Sequence, residues 1–458
     1  MPKEKKEKIK KEKTDHITLS FVSLGCFKNI VDTEVLGGML EKRNIRLVSP
    51  YEDCDWIVIN TCGFIRDAKE ESIDEILAAL EKKEKGETKH VAVFGCLTER
   101  YYKDLKSNFK DADIIWGVND LEGLAELIAT TDENATGKNK PAYQDKELFL
   151  YNETHKRIIT TTPNVTFIKI SEGCNMKCSF CAIPQIRGEF RSRTIASILK
   201  EAENYQKMGF SEINLVSQNS TYFGKDRSNH SELPLLLKEL STLGLKAVRV
   251  LYLMPEEVTN EIIEGFAVPS VVPYFDLPFQ HVAAPIVKAM NRAGGVEKNT
   301  KLIAQIRKTY KDAVIRSSFI VGFPGETEAD FKELVNFAKK TGIERIGVFA
   351  YSDEENTEAF NISEKVEPYI IEERREKLLD VSDRNIEKFN KKLVASGAVL
   401  DFLPLGPWDN NGTIGRILAQ APDTDGLTRI EVPFVENYSS VRIRVTGYQN
   451  ELLFGELA

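Results

Sequence analysis

"VTFIKISEGCNMKCSFC", residues Val165 to Cys181, decides how the rest of the chain is read. Its first half is an apolar run rich in β-branched and aromatic residues, the pattern of a buried strand. Its second half packs Cys174, Cys178 and Cys181 into eight positions. Three cysteines fit neither a disulfide framework, which uses them in pairs, nor a closed zinc site, which takes four ligands. His155 and His230 fall in a linker and a polar loop and complete no tetrahedral set. The spacing instead lets three thiolates converge on one face of an iron–sulfur cubane and leaves one iron without a protein ligand.

Working outward, "VTFIKIS" is the first of six such runs, followed by "EINLVS", "AVRVLYL", "YFDLPF", "AVIRSSFIV" and "RIGVFAY", with helical patterns between them. Six strands predict a partial, open (βα)6 barrel over residues 163–394, whose sites form on the loops after the strands. Gln218 and Asn219 follow the second strand, Gln280 and His281 sit near the end of the fourth, and Arg316 belongs to the fifth. Each either faces a ligand or anchors hydrogen bonds at the rim, and His281 is disfavoured as a cluster ligand. Gly322, Pro324 and Gly325 set a tight turn before a helix at Glu326, whose amino terminus could also face an anion. Beyond a long charged helix, residues 395–458 turn to short strands and read as a small antiparallel β barrel.

Upstream, residues 16–130 alternate apolar runs with helical patterns, which predicts a parallel sheet wrapped by helices. Three strands run directly into cysteines: "SLGC" at Cys26, "NTC" at Cys62 and "FGC" at Cys96. Parallel strands would bring all three to one sheet edge. Scattered cysteines are otherwise small buried apolar residues, the reading given to Cys54. Residues 131–162 read as a polar linker.

The chain of 458 residues, 42% hydrophobic, is long enough for two or three cores. No apolar run approaches the roughly 18 residues of a membrane span, and the start lacks a secretory stretch, so a cytoplasmic location is expected. Cysteines in a reducing compartment are metal ligands or catalytic groups more often than disulfide partners. A net charge of -8 argues against nucleic acid as the main partner and for a basic protein. The lysine-rich residues 1–15 read as a disordered, solvating tail.

At Cys174, Cys178 and Cys181, with Phe180 before the last cysteine, the chain resembles the radical S-adenosylmethionine (radical SAM) superfamily. That resemblance implies a 4Fe-4S cluster whose open iron holds S-adenosylmethionine, reductively cleaved to a deoxyadenosyl radical. Phe180, Gln218, Gln280 and Arg316 are then candidates to face that cofactor. "LGCFKN", "NTCGF" and "FGCLT" resemble the amino-terminal domain of the methylthiotransferases, which implies a second 4Fe-4S cluster on Cys26, Cys62 and Cys96. No catalytic residue beyond the clusters is assigned. The tRNA-modifying branch reads Gly-Cys-Gln-x-Asn at the first cysteine, and the ribosome-acting branch reads Ser-Leu-Gly-Cys-Pro-Lys-Asn. "SLGCFKN" resembles the latter, with Phe27 replacing the proline.

"YFDLPFQHVAAPIVKAMNRAGG" and "GFPGETEADF" also resemble the ribosomal branch, whose substrate is an aspartate of small-subunit ribosomal protein S-twelve, free or in the subunit. "GTIGRILAQAPDTDG" resembles a TRAM module, a substrate-recognising barrel. From Gly397 to Ala458 eight acids face four arginines, a balance of -4, which suits a basic protein better than RNA. The implied reaction adds a methylthio group to the aspartate β-carbon. It consumes two S-adenosylmethionine molecules and needs a sulfur donor and a reductant such as flavodoxin or ferredoxin. The rival readings are a tRNA (isopentenyladenosine) methylthiotransferase and a non-catalytic iron–sulfur scaffold.

Overall fold

Strands that are apolar at nearly every position need cover on both faces, and the amino-terminal part of the chain supplies it. The computed structural model describes residues 16–49, 52–131, 148–161, 164–434 and 440–458. The lysine-rich start and residues 132–147 of the predicted linker lie outside these. Strands β1 (Ile17–Ser23), β2 (Ile45–Leu47), β3 (Cys54–Thr61), β4 (Thr88–Gly95) and β5 (Ile114–Ile115) form a parallel sheet in the order β2-β1-β3-β4-β5. Helix Phe27–Glu41 packs Val31 and Val35 with Trp56, Val58 and Phe94 on one face. Helix Arg66–Glu84 brings Ile76 and Ala79 against Ile57, Ile59 and Val93 on the other. Because β1, β3 and β4 are parallel neighbours, the residues just beyond them share one edge.

The second body is built from β6 (Val165–Lys169), then a short antiparallel pair, β7 (Ser171–Glu172) with β8 (Arg191–Ser192), that brackets the cysteine loop. Next come β9 (Glu212–Val216), β10 (Ala247–Val250), β11 (Tyr274–Asp276), β12 (Val314–Val321) and β13 (Arg345–Ala350). They lie as two parallel triplets, β6-β9-β10 and β11-β12-β13, linked by a bridge between Val248 and Val271. This is the open six-stranded barrel that the apolar runs predict. Its inside and helical cover share one core that includes Ile168, Leu215, Val250, Phe275, Ile315 and Phe319.

Helix Pro368–Ser396 leads to β14 (Val399–Pro407), β15 (Thr413–Ile417), β16 (Thr428–Ile430), β17 (Val441–Gln449) and β18 (Leu452–Leu457), a closed barrel. It docks on the amino-terminal ends of the parallel strands. Buried Arg416 pairs with Glu212 at 2.8 Å, Arg249 pairs with the same carboxylate at 3.0 Å, and the Tyr274 hydroxyl donates to Asp425 at 2.6 Å. The opposite edge, where the cysteines emerge, stays free of this module. Arg429 pairs with Asp409 and Glu431, Arg444 with Glu456, and Arg442 donates to a backbone carbonyl. All four arginines of the barrel are therefore engaged within the protein, and none contributes to an unpaired basic stripe among the described residues.

Residues 148–161, read from composition as polar linker, are a packed strap. Tyr151 is buried, and Arg157 is buried between Glu34, at 2.5 Å, and Glu201, at 2.7 Å. Among the described residues, no helix is long and apolar enough to cross a membrane.

Candidate active site

Cys26 precedes helix Phe27–Glu41, Cys62 follows β3, and Cys96 opens the short helix Cys96–Arg100. Two glycines make these turns possible. Gly25 has φ +89, and a Cβ there would stand 3.0 Å from Cys62 Sγ; Gly95 has φ +117, and a Cβ would strike the Thr61 carbonyl at 2.5 Å. Asn29 ties the turns together by donating to Leu24 O at 2.9 Å and Thr61 O at 3.2 Å. Its Oδ1 lies 4.0 Å from Cys26 Sγ and 3.6 Å from Cys96 Sγ. The three cysteines therefore meet around one amide. Cys54 lies at the start of β3, away from them, with its Sγ against Trp56 O at 3.1 Å. Phe27, at the position of the ribosomal motif's proline, stacks on Phe167 of β6 with ring centroids 4.3 Å apart.

Cys174, Cys178 and Cys181 line a cleft of about 460 Å³ faced by Asn356 and Glu358. Ser179 pins the loop, its N–H donating to Met290 O at 3.1 Å and its hydroxyl to Ala289 O at 2.7 Å. Phe180 packs on Ala283, Ile286, Met290 and Phe323, so it supports the loop from the protein side. Ala182 and Ile186 share a buried cluster with Cys96 and Val118, which joins the two trios across the interface of the two bodies.

A polar seam accompanies that contact, and sequence reading did not find it. Arg187, six residues beyond Cys181 and buried, donates to Asn29 Oδ1 at 2.8 Å and to Cys96 Sγ at 3.3 Å. It also pairs with Asp32 at 2.7 Å and Glu172 at 3.2 Å, while Lys169 holds the same two carboxylates at 2.5 Å each. Gln218 joins by donating to Glu172 at 2.5 Å, and its Oε1 is buried without a partner. Asn219 donates to Glu257 at 2.8 Å, and Arg316 pairs with Asp276 at 3.0 Å. Gln280 takes φ +66 and spends its backbone groups on β12, accepting from Ile320 and donating to Ser318. Gln218 thus lies near the seam, whereas Asn219, Gln280 and Arg316 stand along the rim.

Burial pushes the Cys62 thiol up to about 12, with Cys96 adding to it. It likewise pushes Cys178 to about 11 and Cys181 to about 12, with the other cysteines of their trio adding to it. Thiols gathered in this way ionise only if a compensating positive centre binds, which is what a cluster provides. Among the described residues, no three His, Cys, Asp or Glu side chains are grouped tightly enough for a single ion. All seven cysteines are free thiols, so the thiols of both trios are available as ligands.

His281 is fully buried, its Nδ1 accepting from Ala283 N–H at 3.1 Å and its Nε2 unpartnered. Burial lowers its pKa to about 4 from an ordinary 6.5. A histidine held neutral stabilises the fold above about pH 6.5, and that contribution is lost as pH falls toward 4. Urea unfolding should therefore show a loss of about 2 kcal/mol between pH 7 and pH 5 from this residue. His281→Asn, which keeps an acceptor, should remove that part of the slope; an unchanged slope would refute the assignment.

Residues 18–117 match the uncharacterized protein family UPF0004, and residues 168–338 match the Radical SAM superfamily. Proteins named ribosomal protein uS12 methylthiotransferase RimO from Syntrophotalea carbinolica and Citrifermentans bemidjiense are 37% and 38% identical over 443 residues. The alignments cover 96% of this chain in both cases, and 96% and 98% of theirs. A third protein of that name, from a Thermotoga species, is 39% identical over 410 residues, covering 88% of this chain and 91% of its own. Among solved structures, the radical S-adenosylmethionine methyltransferase TsrM from Kitasatospora setae superimposes with a TM-score of 0.52 at 13% identity, covering 73% of each chain, a likeness of fold alone.

Proposed function

From a chain that belongs to the methylthiotransferases of the radical SAM superfamily, we propose an enzyme that adds a methylthio group to the β-carbon of an aspartate in small-subunit ribosomal protein twelve. The observation that carries this is the meeting of the two cysteine trios across the seam of Arg187, Asp32, Lys169 and Glu172. In this reading residues 16–130 hold one cluster on Cys26, Cys62 and Cys96, and residues 163–394 hold the other on Cys174, Cys178 and Cys181. Residues 395–458 form the substrate-recognising module. When bound, these groups and two molecules of S-adenosylmethionine would supply the one-electron hydrogen abstraction that an unactivated C–H bond requires and the methyl group, the sulfur coming from a separate donor.

The protein's own part is placement and shielding. The Cys96, Val118, Ala182 and Ile186 cluster keeps water from the contact between the trios. Phe180 and Ser179 hold the loop that carries the second trio. Phe27, stacked on Phe167, fixes the first trio's helix to the barrel. Relatives named for uS12, and a terminal barrel whose arginines are all engaged, favour a protein substrate over RNA. A sulfur donor and a low-potential reductant such as flavodoxin or ferredoxin complete the requirements.

Reduced enzyme given small ribosomal subunits and, separately, unmodified tRNA should change the mass of the ribosomal protein only. Methylthiolation of tRNA alone would overturn the reading. Iron without any release of deoxyadenosine would reduce the protein to a scaffold.

A further inference from the structure

The charges of the seam pair off, and Lys28 beside them does not. Lys169 and Arg187 face Asp32 and Glu172, and Arg316 faces Asp276. Lys28 is 7% exposed, yet none of the described carboxylates forms an ion pair with it. Its Nζ donates to Ser217 O at a long 3.4 Å and stands 3.4 Å above the Tyr252 ring. Ser217 follows β9 and Tyr252 lies just beyond β10, so this ammonium sits at the barrel mouth, two residues from Cys26. An ammonium with a long hydrogen bond and an aromatic face, but no carboxylate beside it, offers an incoming anion a charge partner.

Tyr252 gives a second, independent observation. It has φ +61, a conformation an aromatic residue adopts at a cost. Its N–H donates to Asp276 Oδ2 at 2.9 Å, and its carbonyl accepts from Ser220 at 3.0 Å, which hold that backbone and keep the ring beneath the ammonium.

We infer that Lys28 binds the side-chain carboxylate of the substrate aspartate and so selects an acidic residue. This rests on the reading of a protein aspartate as substrate. A carboxylate on Lys28 Nζ puts the adjoining β-carbon at the ends of β9 and β10, on the side of Cys26. Lys169, Arg187 and Arg316 already have acidic partners, so they do not compete for it. A neutral isostere such as asparagine offers the ammonium no charge and leaves its desolvation uncompensated.

The test uses the reconstituted enzyme with ribosomal protein twelve and with its variant carrying asparagine at the target position. Wild type should prefer aspartate by roughly tenfold or more in kcat/KM. Lys28→Met should lose roughly 10- to 100-fold on aspartate, mainly in KM, and less than about threefold on asparagine, so that the preference disappears. Lys28→Arg should restore part of it. Iron content and melting temperature show whether the variants are folded. An equal loss on both substrates, a retained preference, or a rise confined to the KM for S-adenosylmethionine would overturn the inference while leaving the proposed function standing. A wild type that modifies neither protein would overturn the proposed function, and this inference with it.

Discussion

Replacing Cys26, Cys62 and Cys96 together by alanine is expected to halve the iron of the reconstituted protein, from roughly eight to roughly four atoms per chain. Methylthio transfer should fall below detection while reductive cleavage of S-adenosylmethionine continues. The trio meets around Asn29, so losing three thiols removes the donors of one site and leaves the loop at Cys174, Cys178 and Cys181 intact. Alanine fits where each thiol lay, and the backbone ties from Asn29 to Leu24 and Thr61 do not involve sulfur. The fold should survive, which circular dichroism checks. The reciprocal triple substitution at Cys174, Cys178 and Cys181 should also halve the iron, but it should abolish both cleavage and transfer. An unchanged iron count in the first variant would remove the second cluster from the reaction.

That experiment tests a site whose cysteines, but not their supports, were legible in the sequence. Each cysteine follows an apolar run of parallel-strand type, and neighbouring parallel strands end on one edge, so periodicity alone brings Cys26, Cys62 and Cys96 together. The six runs of the second body and the closed terminal barrel were visible for the same reason. Strand β2 was not, because three edge residues are too few to display a period. The seam was invisible for a different reason. No local pattern links Asp32, Lys169, Glu172 and Arg187, and only pairing over 137 and 155 positions makes them a buried group. The same holds for the strap at 148–161, where composition suggests solvent but Arg157 reaches Glu34 across 123 positions. Counting charges in the terminal barrel gave its sign, but it could not show that Arg416 is buried against Glu212. Phe27 was legible as a departure from the ribosomal motif, and its compensation, stacking on Phe167, needed the fold.

Arg187→Met is expected to be the most damaging single change outside the cysteines. Methionine has similar length and no charge, so it keeps most of the packing near Ile186 while withdrawing every donor. Asp32 and Glu172 would share Lys169 alone, leaving one buried negative charge without compensation. Breaking a buried pair from one side costs about 3–5 kcal/mol, because the remaining charge stays desolvated. Asn29 Oδ1 and Cys96 Sγ would also lose their shared guanidinium donor. Hydrogen bonds and positive charge beside a ligating sulfur raise a cluster's potential, so their removal should move it to more negative values. In a Cys174, Cys178, Cys181→Ala background the remaining cluster can be titrated alone. There Arg187→Met should lower both the melting temperature and the midpoint potential. Arg187→Lys, which keeps the charge but cannot fork to four partners, should fall between. If the potential is unmoved while the melting temperature drops, Arg187 is a structural clamp only; if neither changes, the seam does not join the two sites.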